Sequence, residues 1–323
     1  MAFKRKTPTQ KKIQKVDAVL CSDLHIRADV PLCRTDDYTK AMWDKLSFIF
    51  NLCSKYNVPL FCGGDIGHRS QWPNWLLSEF ISLARGVTIY SCLGQHDLPG
   101  HSIDEVLKSG CGVLHISNIV GFDSNVLVTQ DKIKKIVVMS HYGEERPTCI
   151  GIDLNIKDSF PVMLTHRLVT NNLKEDWPGQ VSYDAVKLLK DFPQYNLILS
   201  GDNHKPFVAE YEGRVLVNPG SMMRNTVDQI DHRPRVYLWD ALQNIVEPVY
   251  LPIEDGVIDS SHIEVKKDRD ERMKEMTEGM KVNYEIEMDY EKNMEIHLNQ
   301  NKVEDQIEQK IWLSIERGKN AGK

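Results

Sequence analysis

The chain has 323 residues, 41% of them hydrophobic, and a mean hydropathy of -0.39, so it carries enough apolar material for one large core plus an appendage. Forty Lys and Arg against 46 Asp and Glu leave a formal charge of -6, which excludes a globally basic nucleic-acid binder and confines any such contact to a local patch. No apolar run approaches the roughly 18 residues of a membrane span, and the basic N-terminus has no apolar region behind it, so neither a membrane protein nor a secretory signal is expected.

Seven cysteines (Cys21, Cys33, Cys53, Cys62, Cys92, Cys111 and Cys149) include no C-x-x-C pair. An odd number, partly inside apolar strand runs, points to a reducing, cytoplasmic compartment.

Met1 to Lys15 carries six basic residues and almost no apolar content, the composition of a disordered basic arm over residues 1–15. Val16 to Cys21 reads as a buried strand ending in Ser22-Asp23-Leu24-His25; in extended backbone Asp23 and His25 project from one side together. A helix follows from about Asp37 to Tyr56, with Tyr38, Met42, Leu46, Ile49 and Phe50 at helical spacing. The next apolar run, from Val58, breaks at Gly63-Gly64 and delivers Asp65, with His68 three residues on. Strand, helix and strand in this order predict βαβ units and a parallel sheet.

Trp72-Pro73-Asn74-Trp75 leads into Leu76, Leu77, Phe80, Ile81 and Leu83, a second crossover helix whose exposed aromatic share is a candidate homodimer contact. The run from Thr88 stops at Gly94 and delivers Gln95, His96 and Asp97 in succession. Ser102 with Glu105 three residues later predicts a capped helix to Lys108. From Cys111 to Val138 short strands are expected, including Val126-Leu127-Val128 and Ile136-Val137-Val138, before a polar loop at His141-Tyr142-Gly143-Glu144-Glu145. Phe160 to Thr165 ends in His166, Leu197 to Ser200 ends in Gly201-Asp202-Asn203-His204, and Val215 to Val217 ends in the turn Asn218-Pro219-Gly220-Ser221.

A single strand-end Asp or His is more often a cap or a satisfied polar group than a ligand. Five such clusters in one chain are hard to assign to chance: Asp23 and His25; Asp65; Gln95, His96 and Asp97; His166; Asp202 and His204. Loops at the carboxyl ends of strands are where open α/β sheets bind ligands. Nitrogen and oxygen donors without thiolate favour Mn²⁺, Mg²⁺, Fe²⁺ or Zn²⁺, and a carboxylate able to bridge suits a two-metal site. His141 also follows an apolar strand, but the His166 strand is cleaner and lies immediately upstream of the Gly201 strand, so His166 is preferred; His101 and His141 stay open as additional members.

The ordered motifs D-x-H, G-D, G-x-H-D, a strand-end His and G-x-x-H resemble those of the calcineurin-like metallophosphoesterases. Within that family the Gly64 to His68 form, the Tyr142 to Glu145 loop and the Asn218 to Arg224 turn resemble the SbcD-type nuclease subunit of the SbcCD double-strand-break repair complex, in its phage recombination version. The likeness covers about Val16 to Ile253. It implies an α/β metallophosphoesterase sandwich of mixed β-sheets flanked by helices over residues 16–253, and a small C-terminal α+β or helical appendage over residues 254–323 that binds a partner. It also implies two divalent ions, Mn²⁺ first and Mg²⁺ second. Asp23, His25, Asp65 and His204 would hold one; Asp65, Gln95, His166 and Asp202 would hold the other. His96, oriented by Asp97, and His68 would face the scissile phosphate.

The implied function is an exo/endonuclease that hydrolyses DNA phosphodiesters with an SMC-like coiled-coil ATPase, in the host cytoplasm if phage-encoded. Arg69, Arg167, Lys205 and Arg224 are candidate phosphate contacts. Two positions depart from the family pattern: Gln95 stands where Asn is usual, and Asp202 where the first His of G-H-x-H is usual. Rival readings are a stand-alone phosphatase or cyclic-nucleotide phosphodiesterase, and a non-catalytic scaffold for DNA ends.

Beyond Ile253 the run Lys266 to Arg272 is of mixed charge, a solvated helix or linker. Met288, Met294, Ile296 and Leu298 suggest a small cap, and Val303, Ile307, Ile311 and Ile315 form one apolar helical stripe, widened by Trp312 and Leu313. That stripe either packs on the chain's own cap or docks on the ATPase.

Overall fold

The central strands of this protein are short and buried on both faces, which is what a sheet covered on both sides requires, while the edge strands Phe207–Tyr211 and Ile245–Tyr250 are partly exposed. The computed structural model describes residues 12–122, 126–129, 135–141, 159–171, 181–261, 290–301 and 303–321. Most of the basic arm, the loop after His141, the run Lys266 to Arg272, Met288 and Cys149 lie outside the described residues.

The chain divides into two units, Met1–Asp259 and Ser260–Lys323. In the first, β1 (Ala18–Cys21), β2 (Leu60–Cys62), β3 (Ile89–Ser91) and β4 (Val120–Gly121) run parallel, and β13 (Arg235–Asp240) and β14 (Ile245–Tyr250) add to the β1 edge antiparallel. The second sheet has the order β11 (Phe207–Tyr211), β12 (Arg214–Asn218), β10 (Leu197–Ser200), β7 (Ser159–Thr165), β6 (Lys135–His141), β5 (Val126–Thr129), with β6, β7, β10 and β12 mutually parallel. Val169–Thr170 (β8) and Tyr183–Asp184 (β9) form a separate pair.

Side-chain alternation along each strand sorts the core into layers. Ala18, Leu20, Phe61 and Trp239 of the first sheet pack against Val162, Leu164, Leu199 and Val217 of the second. The opposite face of the first sheet, including Val19, Cys21 and Leu60, packs on α1 (Tyr38–Tyr56), α2 (Asn74–Leu83) and α3 (Gly110–Ile116). The outer face of the second sheet, with Met163, Ile198 and Leu216, packs on α4 (Ala185–Asp191). The result is an α/β sandwich of two mixed sheets flanked by helices, the expected fold class.

α1 shows why these elements form where they do. Asp37 caps it, its carboxylate accepting from Lys40 N at 3.0 Å, and Asn57 ends it in the left-handed conformation that Asn tolerates. Tyr38, Met42, Leu46, Ile49, Phe50 and Cys53 are buried on one stripe, each large side chain contributing roughly 1.5–3 kcal/mol. Lys45 shares that stripe and is only 3% exposed.

Two local expectations are corrected. Ile103–Lys108 is a 3-10 helix, and Ser102 makes no side-chain cap bond. The chain after it, expected as strand from Cys111, forms α3 instead, capped by Ser109 accepting from Gly112 N at 3.1 Å. Gly110 and Gly112 allow this: a Cβ at Gly112 would lie 2.3 Å from Val106 O, and one at Gly110 2.5 Å from the Trp72 ring. Trp72 is buried, whereas Trp75 is 49% exposed.

In the second unit, α5 (Tyr290–Gln300) buries Leu298, and α6 (Asp305–Ala321) carries Ile307, Ile311 and Ile315. Val303 precedes α6 and so is not on its helical stripe. Ile307 and Leu313 are 49% and 52% exposed. Among the described residues no helix is long and apolar enough to cross a membrane.

Candidate metal centre

Strand register places the polar loops in a row. Cys21 pairs with Cys62, Cys62 with Ser91, and Ser200 with Thr165, so the carboxyl ends of β1, β2, β3, β7 and β10 open on the same edge. The loops leave those ends under strain: Asp23, His25, Asp65 and Asp202 all have positive φ, between 45° and 70°. For residues with a Cβ this conformation is sparsely populated and is sustained only where the surroundings over-determine it. Asp23 and His25 therefore converge through left-handed backbone, not through the strand alternation expected from D-x-H. Gly94 and Gly201 permit the close approach of the loops. A Cβ at Gly94 would lie 2.0 Å from Asp65 Oδ1, and one at Gly201 2.3 Å from Gly63 O.

The side chains converge around Asp65. Its Oδ2 is 3.2 Å from His166 Nε2, 3.7 Å from His25 Nε2 and 3.9 Å from His96 Nε2, and its Oδ1 accepts from His96 N at 3.0 Å. Asp23 Oδ1 is 3.7 Å from His204 Nε2 and accepts from Asp202 N at 3.1 Å, and the Nε2 atoms of His25 and His204 are 3.1 Å apart. Asp202 Oδ1 is 3.9 Å from His166 Nε2 and accepts from Gln95 Nε2 at 2.9 Å. Three overlapping groups, Asp23/His25/His204, His25/Asp65/His96 and Asp23/Asp65/His166, each bring ligand-type atoms within 4.8 Å of one another. Asp202 and His101 belong to none of these groups; Asp202 reaches the cluster through His166, and Gln95 through Asp202. His141 ends β6; its side chain is outside the described residues.

Protons show what the cluster lacks. His166 Nδ1 faces the carbonyl of Gly63 at 2.7 Å and His96 Nδ1 that of His68 at 3.0 Å. A carbonyl only accepts, so both rings carry their proton on Nδ1 and turn Nε2 toward Asp65. For neutral rings that opposes a lone pair to a carboxylate, and only a cation or a second proton relieves it. Asp23 Oδ2 and His166 Nε2 are buried with no hydrogen-bond partner. The donor set of carboxylate and imidazole, with orphaned buried atoms aimed inward, fits divalent cations.

The electrostatics agree. Burial, with the Asp65 charge in the same sense, pushes Asp23 up against His166 and His204, and burial, with His204, His96 and His68 in the same sense, pushes His25 well down against Asp65. Burial opposes the shifts at Asp65 and His166, yet their mutual attraction holds the carboxylate below its usual range and the imidazole well above its own. Burial, with Arg27 next, pushes His68 down to about 4.

Asp97 differs from expectation. It is fully buried and accepts from Gly67 N and Gly94 N, both at 2.9 Å, and from Cys111 Sγ at 3.2 Å. It ties the Asp65 loop to the His96 loop, while the His96 ring is oriented by the His68 carbonyl. Burial, with Asp65 next, raises Asp97 to about 6.

Gln229 was invisible in the sequence. It is 6% exposed, its Oε1 accepts from Asn225 N at 2.6 Å, and its Nε2 donates to Ser221 Oγ at 3.0 Å and lies 3.4 Å from His204 Nδ1. No motif marks it; a buried amide in a polar turn is the only signal. Two expected phosphate contacts are internal. Arg224 is buried and donates to the carbonyls of Ile230 and Glu254, and Arg167 is buried with its guanidinium over the Tyr183 ring. Arg69 and Lys205 are exposed. The cluster opens into a cavity of about 610 Å³ bordered by Gln95, His96, Asp202, Lys205, Arg233 and Arg235.

A metallophosphoesterase family model, that of the calcineurin-like phosphoesterases, matches residues 18–206, and the chain belongs to that family. Its members are metal-dependent phosphoesterases that use two divalent ions. No curated protein matches the chain by sequence. Similar solved structures include a novel archaeal phosphodiesterase, 14% identical with a TM-score of 0.39, covering 72% of this chain and 99% of that one. A dimetal phosphatase from Danio rerio is 10% identical with a TM-score of 0.45, covering 76% of this chain and 100% of that one. A predicted phosphoesterase from Streptococcus pneumoniae TIGR4 is 14% identical with a TM-score of 0.31, covering 77% and 98%.

Proposed function

We propose that this protein is a two-metal DNA nuclease of the SbcD type, hydrolysing phosphodiesters at DNA ends in recombination or repair together with an SMC-like ATPase. The observation that carries the reading is the open cavity of about 610 Å³ beside the cluster, with Lys205, Arg233 and Arg235 at its border. It has room for a nucleotide, and its three cations stand among the carboxylates of Asp65, Asp202, Asp228 and Asp231, of which Asp65 and Asp202 face the ions and the cations are left to meet phosphates.

Asp23, His25, Asp65 and His204 would hold the first ion, and Asp65, Gln95, His166 and Asp202 the second; Mn²⁺ would suit this nitrogen and oxygen set, with Mg²⁺ next. Ions held there would supply water activation and neutralisation of charge on the phosphoryl oxygens. The protein's own groups do the rest. His96 has Nδ1 committed to the His68 carbonyl, so any proton it exchanges with the leaving oxygen passes at Nε2, the atom facing the cluster. Its side chain is 42% exposed, open to substrate. His68, neutral at pH 7, stacks on His96 with ring planes 13° apart and limits the tilt of that ring.

Asp202 supports a diester over a monoester. Two divalent ions with the carboxylates of Asp23, Asp65 and Asp202 leave a formal charge of about +1, against about +2 with histidine at position 202. A singly charged phosphodiester matches that balance better than a dianion. The exposed apolar residues of α6 are the proposed docking face for the ATPase, and the exposed Trp75 the proposed homodimer contact.

The test is cleavage of linear DNA with Mn²⁺, compared with turnover of a phosphomonoester. DNA cleavage lost in His96→Ala supports the nuclease. Monoester turnover alone identifies a phosphatase, and turnover of neither substrate a scaffold.

A further inference from the structure

The stacked pair His68 and His96 stands between two cavities, His96 bordering the larger and His68 the smaller. On one side the His68 ring stacks on His96, centroids 5.6 Å apart, and meets His25 edge-on at 5.6 Å. On the other side lies a second cavity of about 270 Å³, which the proposed chemistry does not use. Its lining is apolar at Ile26, Pro73 and Leu76, of which Ile26 and Leu76 are 1% exposed. It is charged at Arg27, Asp29 and Arg69.

Those charges do not cancel. Arg27 satisfies Asp29 with two hydrogen bonds, while Arg69 comes only within 3.9 Å of Asp29 and keeps its side chain 74% exposed. One guanidinium charge is left over beside an apolar slot, one imidazole away from the cluster. A flat group with apolar faces and an attached anion matches this chemistry, and a nucleotide is such a group.

We propose that this second cavity is the subsite for the nucleotide flanking the scissile phosphodiester, its base on the exposed Pro73 over the buried floor of Ile26 and Leu76, and its phosphate at Arg69. The inference rests on the DNA-nuclease reading and adds the path of the chain. The strand crosses the His68–His96 pair, with the reacting phosphate on the cluster side and its neighbour beyond His68. A substrate without a flanking nucleotide leaves the subsite empty, so the cavity separates polynucleotides from small esters.

Ala28 borders the cavity, is exposed and has no part in the cluster, so Ala28→Trp fills the slot without disturbing the core. With the Mn²⁺-loaded enzyme, kcat/KM for a DNA oligonucleotide is expected to fall at least tenfold, while turnover of methyl 4-nitrophenyl phosphate, a minimal diester without a base, stays at the wild-type level. As an independent variant, Arg69→Ala is expected to lower the slope of log K for DNA against log salt by about 0.7–0.9, one phosphate contact. Wild-type DNA cleavage by Ala28→Trp, equal losses on both substrates, or an unchanged salt slope for Arg69→Ala overturns the subsite and leaves the nuclease reading intact. A wild-type enzyme that hydrolyses the small diester but no DNA overturns both.

Discussion

Gln95 Nε2 donates to Asp202 Oδ1 at 2.9 Å, joining the two residues proposed as ligands that differ from the motif the sequence otherwise resembles. They are 107 residues apart, so nothing in the sequence shows that they meet. A Gln side chain reaches one methylene further than Asn, and a carboxylate is shorter than an imidazole, so the two changes complement each other in length. The amide also gives the carboxylate a donor that histidine at 202 would not need.

The pair should behave as a unit. Asp202→His alone shifts metal preference from Mn²⁺ and Mg²⁺ toward Zn²⁺, since imidazole replaces a hard oxygen. Adding Gln95→Asn should recover metal affinity beyond the sum of the single effects, by a coupling of about 1–2 kcal/mol. Titration of each variant with Mn²⁺ and Zn²⁺ measures it. Additive effects, or an unchanged metal profile in Asp202→His, would show that the two do not act on one ion.

His96→Ala should abolish phosphodiester cleavage, by about 10²–10⁴-fold, while both ions remain bound. The His96 side chain is 42% exposed, and Asp65 keeps His25 and His166 close without it. Metal content of the purified variant decides the matter. Loss of an ion would make His96 a ligand, and near-normal turnover would remove it from the chemistry.

Asp97→Asn tests the loop tie. The carboxylate oxygens serve Gly67 N and Gly94 N separately, and an Asn amide can accept only one of those bonds while its NH₂ opposes the other donor. A loss of roughly 2–3 kcal/mol in unfolding free energy is expected, with kcat reduced because both loops bear site residues. A denaturation midpoint equal to wild type would dismiss the tie.

Lys45 is a stability reserve away from the cluster. Among the described residues its ammonium donates to Met223 Sδ at 3.4 Å, and burial, with Arg34 and Arg224 next, pushes it down to about 8. Below that pH both folded and unfolded chains carry the charge, and the folded state bears the full cost. Between about 8 and the unfolded value of 10.5 the folded amine is neutral first, and the cost fades. Lys45→Met should therefore stabilise by up to about 3 kcal/mol at pH 7 and by progressively less toward pH 10.5. Urea denaturation at the two pH values checks this; a gain that does not shrink with pH would mean that packing, not charge, sets it.

Truncation after Asn301 removes α6. Mn²⁺-dependent DNA cleavage is expected to survive and association with the ATPase to vanish, read by co-purification of the two chains. Normal association by the truncated chain would dismiss α6 as the docking face, and failure to fold would favour self-packing of its stripe.

What the sequence determined by itself was local. An apolar run that breaks at glycine and yields Asp or His is legible because strand burial and turn chemistry act over a few neighbouring residues. Five such breaks were enough for the fold class and for the family to which the chain belongs. The helix of α1 was legible for the same reason, since its stripe and caps lie within one stretch. Tertiary structure alone decided which partners those residues take. Asp97 bonds across 30 residues to Gly67, Gln229 across 25 to His204, and Arg224 across 30 to Glu254. α3 formed where strands were expected because Gly110 and Gly112 let it pack against Trp72 and Val106, contacts that spacing does not encode. A buried polar group must find its hydrogen bond wherever the chain brings an acceptor, and that position exists only once the two sheets have packed.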